Sequence, residues 1–497
     1  MSMPAEVKER LLLPRWLTFQ NAVKLGETHP DAELSLPATT SFFDKIRDWT
    51  IYRELPYAID LVGTALLVDF RDAIVEEAAR FILDQNNREM NLAEELARTY
   101  LGIIGVDQWG EKNNDGLSLC AQKAKGKLGA LRALSKQYDR NPILWCDLAY
   151  YHALLGHDKK SERCMEVALG LAHENRFILR AATRCFLHVG DHEKALYHLR
   201  RSQLAKIDPW LLSTEIATGE ALQKRSKNIK LAQSILHSQS FSPRSLSELA
   251  GTIGTIELRE GAKKKSKKLF IQSLIDPNEN AAAQAEWVNK DLDFTLPPIA
   301  KDIPCRYEAD SRILYREKDY EASLEKANQW LLFQPFSSRP ALFASYIAAV
   351  CLEDYHAAID IINETKQFSP HNPTLSNNLA FALASLDRVD EAKIALFSVD
   401  PETLDPTDKS IFAATYGLIN YRSGEREEGK ALYETAVNNF KKLKDLQRAA
   451  LALFFWGREE RRLAGEGDAI LKESIELGKS QNLFEIQDRA LLLLGHK

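Results

Sequence analysis

The sequence is short of turn-forming residues: of its 497 residues, 23 are glycine and 18 are proline. This scarcity argues against a β-architecture of many short strands and favours long helices. The longest apolar runs, such as residues 61–68, fall well short of the ~20 residues that a membrane span needs. Residues 1–16 lack the apolar core of a signal peptide. We therefore expect a helical, cytoplasmic protein that does not insert into membranes.

Catalytic and metal-binding motifs are also missing. The sequence has no Gly-x-Ser-x-Gly turn, no Gly-x-x-x-x-Gly-Lys loop and no Gly-x-Gly-x-x-Gly after a strand, which are common ways to present a nucleophile or bind a phosphate. Histidines are frequent between residues 152 and 198, but no His-Glu-x-x-His or paired-cysteine spacing supplies a tetrahedral ligand set. The sequence predicts a protein that is not an enzyme and holds no cofactor or metal.

Cysteine and net charge are both low. The six cysteines are scattered without a Cys-x-x-Cys pair, which is typical of reduced, buried thiols. A net charge of −5 is small for this length, so a site for an anionic partner must be a local basic patch.

An internal repeat with a period of about 34 residues runs through much of the chain. Shifting the segment that starts at Pro142 by this period aligns it with the segment that starts at Arg176. The aligned pairs are Leu148 with Ala182, Ala149 with Thr183, His152 with Phe186, Gly156 with Gly190, Ser161 with Ala195, Met165 with Leu199, and Ala168 with Ser202. The pattern predicts a first helix, a glycine cap and a second helix with one apolar face.

This pattern resembles the tetratricopeptide repeat, whose tryptophan, leucine, small, glycine and alanine positions are matched by Trp145, Leu148, Ala149, Gly156 and Ala168. The register recurs around residues 304–337, 373–405 and 410–443, and more weakly at 247–280 and 339–372. The unit at 210–238 departs from it, with irregular spacing and no capping glycine. The resemblance implies an all-α protein, an α-α superhelix (solenoid) of helical hairpins whose first helices line a groove for a partner segment.

Four regions follow from the extent of the repeat. Residues 1–140 form a helical region outside the clear repeat, with a short helix over 11–23, a loop over 29–40, a degenerate hairpin over 58–83, and helices over 92–104 and 117–138. Residues 141–290 form a first array, and residues 307–497 form a second array that ends in a helix. Between them, residues 291–306 hold three prolines, which predict a hinge.

The repeat register places several side chains on the groove face, where the resemblance implies partner binding. These are Arg180, Arg184 and His188 in the first array, and Arg312, Tyr315, Arg316, Asn377 and Phe381 in the second. Because the planar guanidinium of arginine binds carboxylates with two hydrogen bonds, we expect an acidic or C-terminal segment of a partner protein. The lysine and asparagine set of the family's chaperone-tail clamp is not found here.

A local basic run offers an alternative function. Its residues are Arg259, Lys263, Lys264, Lys265, Lys267 and Lys268. The register places the run at the start of a second helix, where the helix dipole disfavours cations. A cluster in this place indicates an anionic partner such as nucleic acid, although no aromatic residues interleave to stack bases and a solvated surface explains it equally simply.

The sequence ends in an apolar helix, residues 490–494, followed by Gly495. We expect it to fold back on the preceding hairpin, and the alternative is a self-association surface. The leading hypothesis is a non-catalytic interaction scaffold or regulatory subunit. The alternatives are a helical-repeat nucleic-acid binder, and a peptide-sensing regulator for which no helix-turn-helix is evident.

Overall fold

The computed structural model describes residues 10–27, 40–67, 72–85, 91–101, 127–128, 131–132, 139–238, 240–292, 294, 296–366, 372–481 and 483–495. All regular secondary structure in these ranges is helical. The chain divides into two compact units. The first unit contains residues 10–309 and 332–336, and the second contains residues 310–331 and 337–497.

The described part of the N-terminal region contains five helices. Its helices are α1 (Phe19–Lys24), α2 (Thr40–Tyr52), α3 (Leu55–Leu67), α4 (Ala73–Asp84) and α5 (Asn91–Tyr100). The helix expected over 11–23 is shorter than predicted, because residues 11–18 lie in a groove where other side chains, rather than a helix, hold their backbone. The loop predicted over 29–40 and most of the helix predicted over 117–138 lie outside the described residues.

The first array consists of consecutive antiparallel hairpins. Its helices are α6 (Pro142–Leu154), α7 (Asp158–Leu171), α8 (Arg176–His188), α9 (His192–Arg201), α10 (Leu204–Ile207), α11 (Pro209–Ala221), α12 (Ile229–His237), α13 (Pro243–Arg259), α14 (Lys263–Ser273) and α15 (Glu279–Leu292).

The second array repeats this arrangement. Its helices are α16 (Tyr307–Arg316), α17 (Tyr320–Phe333), α18 (Ser338–Tyr346, continued by a π-helical turn over Ile347–Cys351), α19 (Tyr355–Lys366), α20 (Pro373–Ser385), α21 (Val389–Phe397), α22 (Pro406–Ser423), α23 (Arg426–Lys442), α24 (Leu446–Ala464), α25 (Asp468–Ser480) and α26 (Phe484–Leu493).

Packing between hairpins follows one rule within each unit. From α6 to α15 and again from α18 to α26, each first helix packs on the second helix of its own hairpin and on the first helix of the next. Small residues allow close approach: a Cβ atom on Gly417 of α22 would lie 3.0 Å from the carbonyl oxygen of Gly429 of α23. This serial packing is that of a solenoid of tetratricopeptide-like hairpins, which confirms the predicted fold class.

The ends of the first helices also agree with the sequence pattern. Asn141 caps α6 by accepting a hydrogen bond from the Ile143 N–H at 3.0 Å. Gly156 and Gly190 follow first helices with φ of +71° and +82°, a backbone conformation that glycine adopts without strain. In the hairpin that lacks a capping glycine, Gln223 takes this place with φ of +56°.

The proline-containing segment after α15 is packed and is not α-helical. It forms a 3-10 turn over Pro298–Lys301, and Phe294 and Ala300 are buried against Phe270 and Val288. Its role as a hinge stays a prediction. Among the helices described here, none combines the length and apolar character that crossing a bilayer requires.

We predict that Ala392→Asp destabilises the second array by on the order of 3–5 kcal/mol, because it buries an unpaired charge. Ala392 is fully buried on α21. Ala431→Asp is the matched control, since Ala431 is exposed on α23. Urea unfolding monitored by circular dichroism measures both variants. A wild-type unfolding midpoint for Ala392→Asp would show that the helix register is wrong.

Candidate functional site

The chain's own N-terminal segment, residues 10–27, lies against the first helices of the first array. Residues 11–18 form no helix or strand. Nevertheless Leu12, Trp16 and Phe19 are 1%, 3% and 1% exposed. The groove in which the sequence predicts a partner segment therefore contains a segment of this chain.

Arg10 is held by a buried polar set on α15 and α16. Its guanidinium donates two hydrogen bonds of 3.0 Å to the carboxylate of Glu308. It also donates to the side-chain oxygens of Gln284 at 2.6 Å and of Asn280 at 3.0 Å. In return, the Gln284 amide donates to the Arg10 carbonyl oxygen at 2.8 Å. Both the side chain and the backbone of this residue are thus recognised.

Arg15 occupies a second site of the same kind. Its guanidinium donates to both carboxylate oxygens of Glu279, at 2.7 and 3.0 Å. It also donates to Glu308 at 3.1 Å and to the side-chain oxygen of Gln334 at 2.8 Å. Glu308 is therefore shared by the two arginines of the segment, which fixes the distance between them.

An aromatic cluster encloses the next side chain, Trp16. Its ring lies 4.5 Å from that of Phe336, 5.8 Å from that of His188 and 5.9 Å from that of Tyr150, measured between ring centroids. Such clusters contribute beyond the apolar area that they bury. The segment is thus bound at two carboxylate sites and, directly after them, in one aromatic pocket.

Two further contacts fix the segment on either side. The Phe19 N–H donates to the Asp147 carboxylate at 3.0 Å, and its ring packs edge-on against Phe177. Leu12 packs against Gly251 of α13, where an added Cβ atom would lie only 2.7 Å from a Leu12 methyl carbon. A larger residue in place of Gly251 would therefore push Leu12 out of the groove.

The stripe predicted on α8 does face this groove. Arg180 is buried and donates to Glu248 at 2.7 and 3.0 Å and to Glu27 at 3.4 Å. Arg184 is partly buried, and burial together with the charge of Arg15 lowers its pKa to about 10. His188 packs on Trp16, and burial lowers its pKa although Asp158 lies at 3.6 Å. The stripe's role in binding a partner stays a prediction.

Glu27 carries the only side-chain carboxyl group in residues 10–27, and its pKa is strongly shifted. Burial and the neighbouring Glu248 carboxylate together raise its pKa to about 7, against the opposing effect of the Arg180 charge. Two carboxylates here share one arginine, so the second carboxylate is poorly compensated.

Three of the residues predicted for the second array lie on α16. Arg312 lies over the ring of Phe343, and Arg316 is exposed. Tyr315 donates its hydroxyl hydrogen to Glu485 at 2.9 Å. The prediction that Asn377 and Phe381, on α20, line an accessible groove is wrong.

Those two residues are buried inside the stack. Asn377 is fully buried and Phe381 is 1% exposed. The ring of Phe381 packs at 4.7 Å on that of Phe455 of α24. Because this contact joins first helices two hairpins apart, the array leaves no open surface at these positions.

The basic run lies at the start of α14, as predicted. Lys263, Lys264, Lys265 and Lys268 are exposed. Lys265 pairs with Glu257 at 2.5 Å. The other predicted members are Lys267, which is partly buried, and Arg259, which pairs with Glu220 at 3.4 Å.

The second unit contains a site that the sequence reading missed. It is a cavity of about 380 Å³, which we call the arginine cavity. Its lining residues are Glu353, Tyr355, Ser385, Arg422, Arg458, Arg461, Arg462 and Leu493. Most of them lie near the C-terminal ends of first helices, where the helix dipole favours cations.

One carboxylate organises three of these arginines. Glu459 is fully buried and accepts from Arg422 at 2.8 and 2.9 Å and from Arg458 and Arg462 at 3.0 Å. Although burial acts to raise the pKa of Glu459, the charge of Arg458 and the hydrogen bond from Arg422 hold it below its usual value. Arg458 also donates to the Tyr355 hydroxyl oxygen at 3.0 Å.

Donor groups at the arginine cavity exceed their acceptors. Within the described part of the chain, the buried hydroxyl of Ser385 has no hydrogen-bond partner. Arg462 is 40% exposed and bonds to Glu459 through its Nε. The charged residues that line the cavity are four arginines and one carboxylate, Glu353. The ion pairs are Arg422, Arg458 and Arg462 with Glu459, Arg422 with Asp387, Arg461 with Asp468, and Arg489 with Glu353.

Metal and thiol chemistry receive no support from the described residues. They contain no group of three or more histidine, cysteine, aspartate or glutamate side chains arranged to hold a metal ion. Cys146, Cys164, Cys185 and Cys351 are free and buried, and burial raises the pKa of the Cys164 thiol to about 11.

The C-terminal helix α26 packs on α24 and α25, so it does fold back on the preceding hairpin. Its buried Glu485 accepts hydrogen bonds from Tyr315 and from Tyr346, the latter at 2.7 Å. Leu492, in the last turn of this helix, is 75% exposed. Self-association through this exposed side stays a prediction.

Known proteins share this architecture at low similarity. Yeast Tom70 is similar over 75% of this chain and 92% of its own, with 12% identity and a TM-score of 0.32. A chain of the APC/C hetero-tetramer Cut9–Hcn1 is similar over 98% of both chains, with 11% identity and a TM-score of 0.37. Human IFIT1, crystallised as a dimer with m7Gppp-AAAA, is similar over 95% of this chain and 97% of its own, with 12% identity and a TM-score of 0.28.

No protein-family model and no curated protein matches the sequence. The identities and TM-scores of the structural matches are too low to indicate what this chain binds. The class of protein, a helical-hairpin repeat, therefore rests on the packing of its own helices.

We predict that Glu27→Gln stabilises the protein at pH 8. Ionised Glu27 is disfavoured in the folded state, because its folded pKa of about 7 lies above the usual unfolded value, so the wild type loses stability as the pH rises between the two. The glutamine variant avoids this cost, which amounts to at most about 3 kcal/mol.

The melting temperatures of Glu27→Gln and wild type should therefore converge as the pH falls from 8 toward 4.5. If the variant is less stable than wild type at pH 8, the ion pair of Glu27 with Arg180 outweighs the cost of burial, and our sign is wrong.

We also predict that Glu459→Gln costs about 3–5 kcal/mol, since it leaves three partly buried arginines without their common carboxylate. Glu473→Gln is the control, because Glu473 forms an exposed pair with Lys441 and should matter by less than about 1 kcal/mol. Urea unfolding compares the two variants. Equal midpoints would mean that Glu459 does not organise the arginine cavity.

Proposed function

We propose that this protein is a non-catalytic interaction scaffold or regulatory subunit, and that its second array binds an acidic or C-terminal segment of a partner protein. The observation that supports this most is the excess of donors and positive charge around the arginine cavity. Four arginine side chains and two hydroxyl groups line one cavity on the first-helix side of the array.

The charge balance favours a carboxylate as the bound group. Four arginines and one carboxylate, Glu353, line the cavity, and this predominance of arginine attracts an anionic group. Arg462 forms its bond to Glu459 through Nε, so its two terminal nitrogens are oriented by the protein without being used by Glu459. A guanidinium held in this way suits two-point binding of a carboxylate.

The hydroxyl groups of Ser385 and Tyr355 complete the proposed site. The Ser385 hydroxyl is buried without a hydrogen-bond partner among the described residues, and a buried unpaired hydroxyl is costly. A ligand oxygen would accept its hydrogen bond. Tyr355 accepts from Arg458, which leaves its own hydrogen free to be donated into the cavity.

The first array provides independent support for the mode of binding. There the first-helix face holds a non-helical segment, residues 10–18, by hydrogen bonds from side-chain amides to backbone carbonyls. A similar face in the second array is thus suited to an extended segment. The carboxylate would anchor that segment, and the neighbouring contacts would add affinity.

The test is a fluorescence-anisotropy titration with a labelled hexapeptide that contains four glutamates and a free C-terminus. We expect saturable binding that falls at least about tenfold in Arg461→Ala/Arg462→Ala, because each arginine supplies a charge-assisted hydrogen bond. Lys441→Ala is the control, since Lys441 matches Arg462 at 40% exposure and lies outside the arginine cavity.

Two peptide variants identify the bound carboxylate. C-terminal amidation removes the terminal carboxylate, and replacing the four glutamates by glutamine removes the side-chain carboxylates. Loss of binding with one variant alone identifies its group as the anchor. Equal binding of the original peptide to wild type and to Arg461→Ala/Arg462→Ala would refute the assignment.

Nucleic-acid binding through the basic run on α14 is the second candidate, favoured by the exposure of Lys263, Lys264 and Lys268. A single-stranded RNA oligomer distinguishes it from the first. Counterion release predicts that its affinity falls steeply with salt and is lost in Lys263→Glu/Lys264→Glu/Lys268→Glu. RNA binding that this variant retains would exclude the run.

A further inference from the structure

The groove of the first array has the opposite charge preference to the arginine cavity. Two nearly fully buried carboxylates, Glu279 and Glu308, face the N-terminal segment, and the two arginines of that segment neutralise them. Removing the segment would leave Glu279 buried without a cation and would take two guanidiniums from Glu308. An unpaired buried charge is strongly destabilising, so this groove requires a cationic occupant.

The recognition extends beyond charge. Gln284, Asn280 and Gln334 add neutral hydrogen bonds to the two guanidiniums. Arg10 and Arg15 share Glu308, so the groove accepts two guanidiniums at one spacing only. Lysine, with a single ammonium on a flexible stem, does not reproduce these forked contacts.

The backbone of the segment is recognised in the manner of a bound peptide. The Asn280 amide donates to the Leu13 carbonyl at 3.1 Å, and the Gln284 amide donates to that of Arg10. Residues 11–18 lie outside any helix, so another chain of the same local sequence can make the same contacts. The aromatic pocket of Trp16 then defines the third recognised side chain.

We infer that the groove of the first array is a receptor for a cationic protein segment, with two arginines five positions apart and a tryptophan directly after the second. Residues 10–16 are its resident occupant in cis. A partner segment with this chemistry binds by displacing residues 10–16. The carboxylates of the groove are therefore paired with arginines both before and after the exchange. This inference is independent of the proposed function, which concerns the other array and an anionic ligand.

The experiment uses a fluorescein-labelled peptide with the sequence of residues 10–20, RLLLPRWLTFQ, and the full-length protein. In Arg10→Ala/Arg15→Ala the resident segment loses its guanidiniums while the groove keeps its carboxylates. We expect this variant to bind the peptide at least roughly 30-fold more tightly than wild type, because truncating buried charged pairs weakens the competing segment by about this factor or more.

Two controls isolate the recognition. Arg47→Ala/Arg225→Ala removes two arginines of the same unit that are 62% and 70% exposed, and should bind the peptide as weakly as wild type does. A peptide with alanine in place of both arginines should not bind the Arg10→Ala/Arg15→Ala variant. If that variant is folded by circular dichroism yet binds both peptides equally, or binds neither, the inference is overturned.

Hydrogen–deuterium exchange decides the question if the double variant does not fold. In the wild-type protein, backbone amides of residues 11–17 should exchange slowly and should exchange faster when the peptide is added in excess. The peptide with alanine in place of both arginines should have no such effect. An exchange rate that the arginine peptide leaves unchanged would show that the segment is a fixed part of the fold and would overturn the inference.

Discussion

Every part of this structure depends on one packing constraint: a helical hairpin cannot bury its apolar surface alone. Each first helix needs its own second helix and the next first helix. Small residues such as Ala149, Ala182 and Gly417 lie at these contacts and let the helices approach. The side of the first helices that faces away from this packing is left for polar groups, and in both arrays it is charged.

The two arrays resolve that charge differently. In the first array, buried carboxylates are neutralised by arginines from a distant part of the same chain. In the second, the buried carboxylate of Glu459 is surrounded by three arginines, so the imbalance is positive. Buried ion pairs contribute little net stability when complete, but their components are costly when separated. The charges on these faces therefore differ in sign between the two arrays, and neither array gains much net stability from its complete ion pairs.

Sequence periodicity predicted the helical hairpins, because the spacing of Leu148, Ala149 and Gly156 reflects packing between neighbours along the chain. It also placed Arg180 and His188 on one face, since helical geometry alone fixes that stripe. The partner of this stripe could not be predicted. Residues 11–23 are apolar enough to be interpreted as a helix, and the contacts of this segment lie up to 319 residues away along the chain.

The arginine cavity was missed for a related reason. Arg458, Arg461 and Arg462 belong to a run of alternating charges that reads as a solvated helix face. Only the approach of Arg422 and Tyr355 from other hairpins turns this run into a site. The prediction for Phe381 failed in the opposite way. The repeat register places this residue in an open groove, but contact between helices two hairpins apart buries it.

The distance between Arg10 and Glu308 along the chain also has a consequence for synthesis. At about 5–20 residues per second, a ribosome needs about 15–60 s to make the intervening 298 residues. During that interval the apolar segment around Trp16 has emerged, while the carboxylates that receive its arginines do not yet exist. The nascent chain thus presents an uncovered hydrophobic, cationic stretch of the kind that chaperones bind, and the first array can close only after α15 and α16 have been translated.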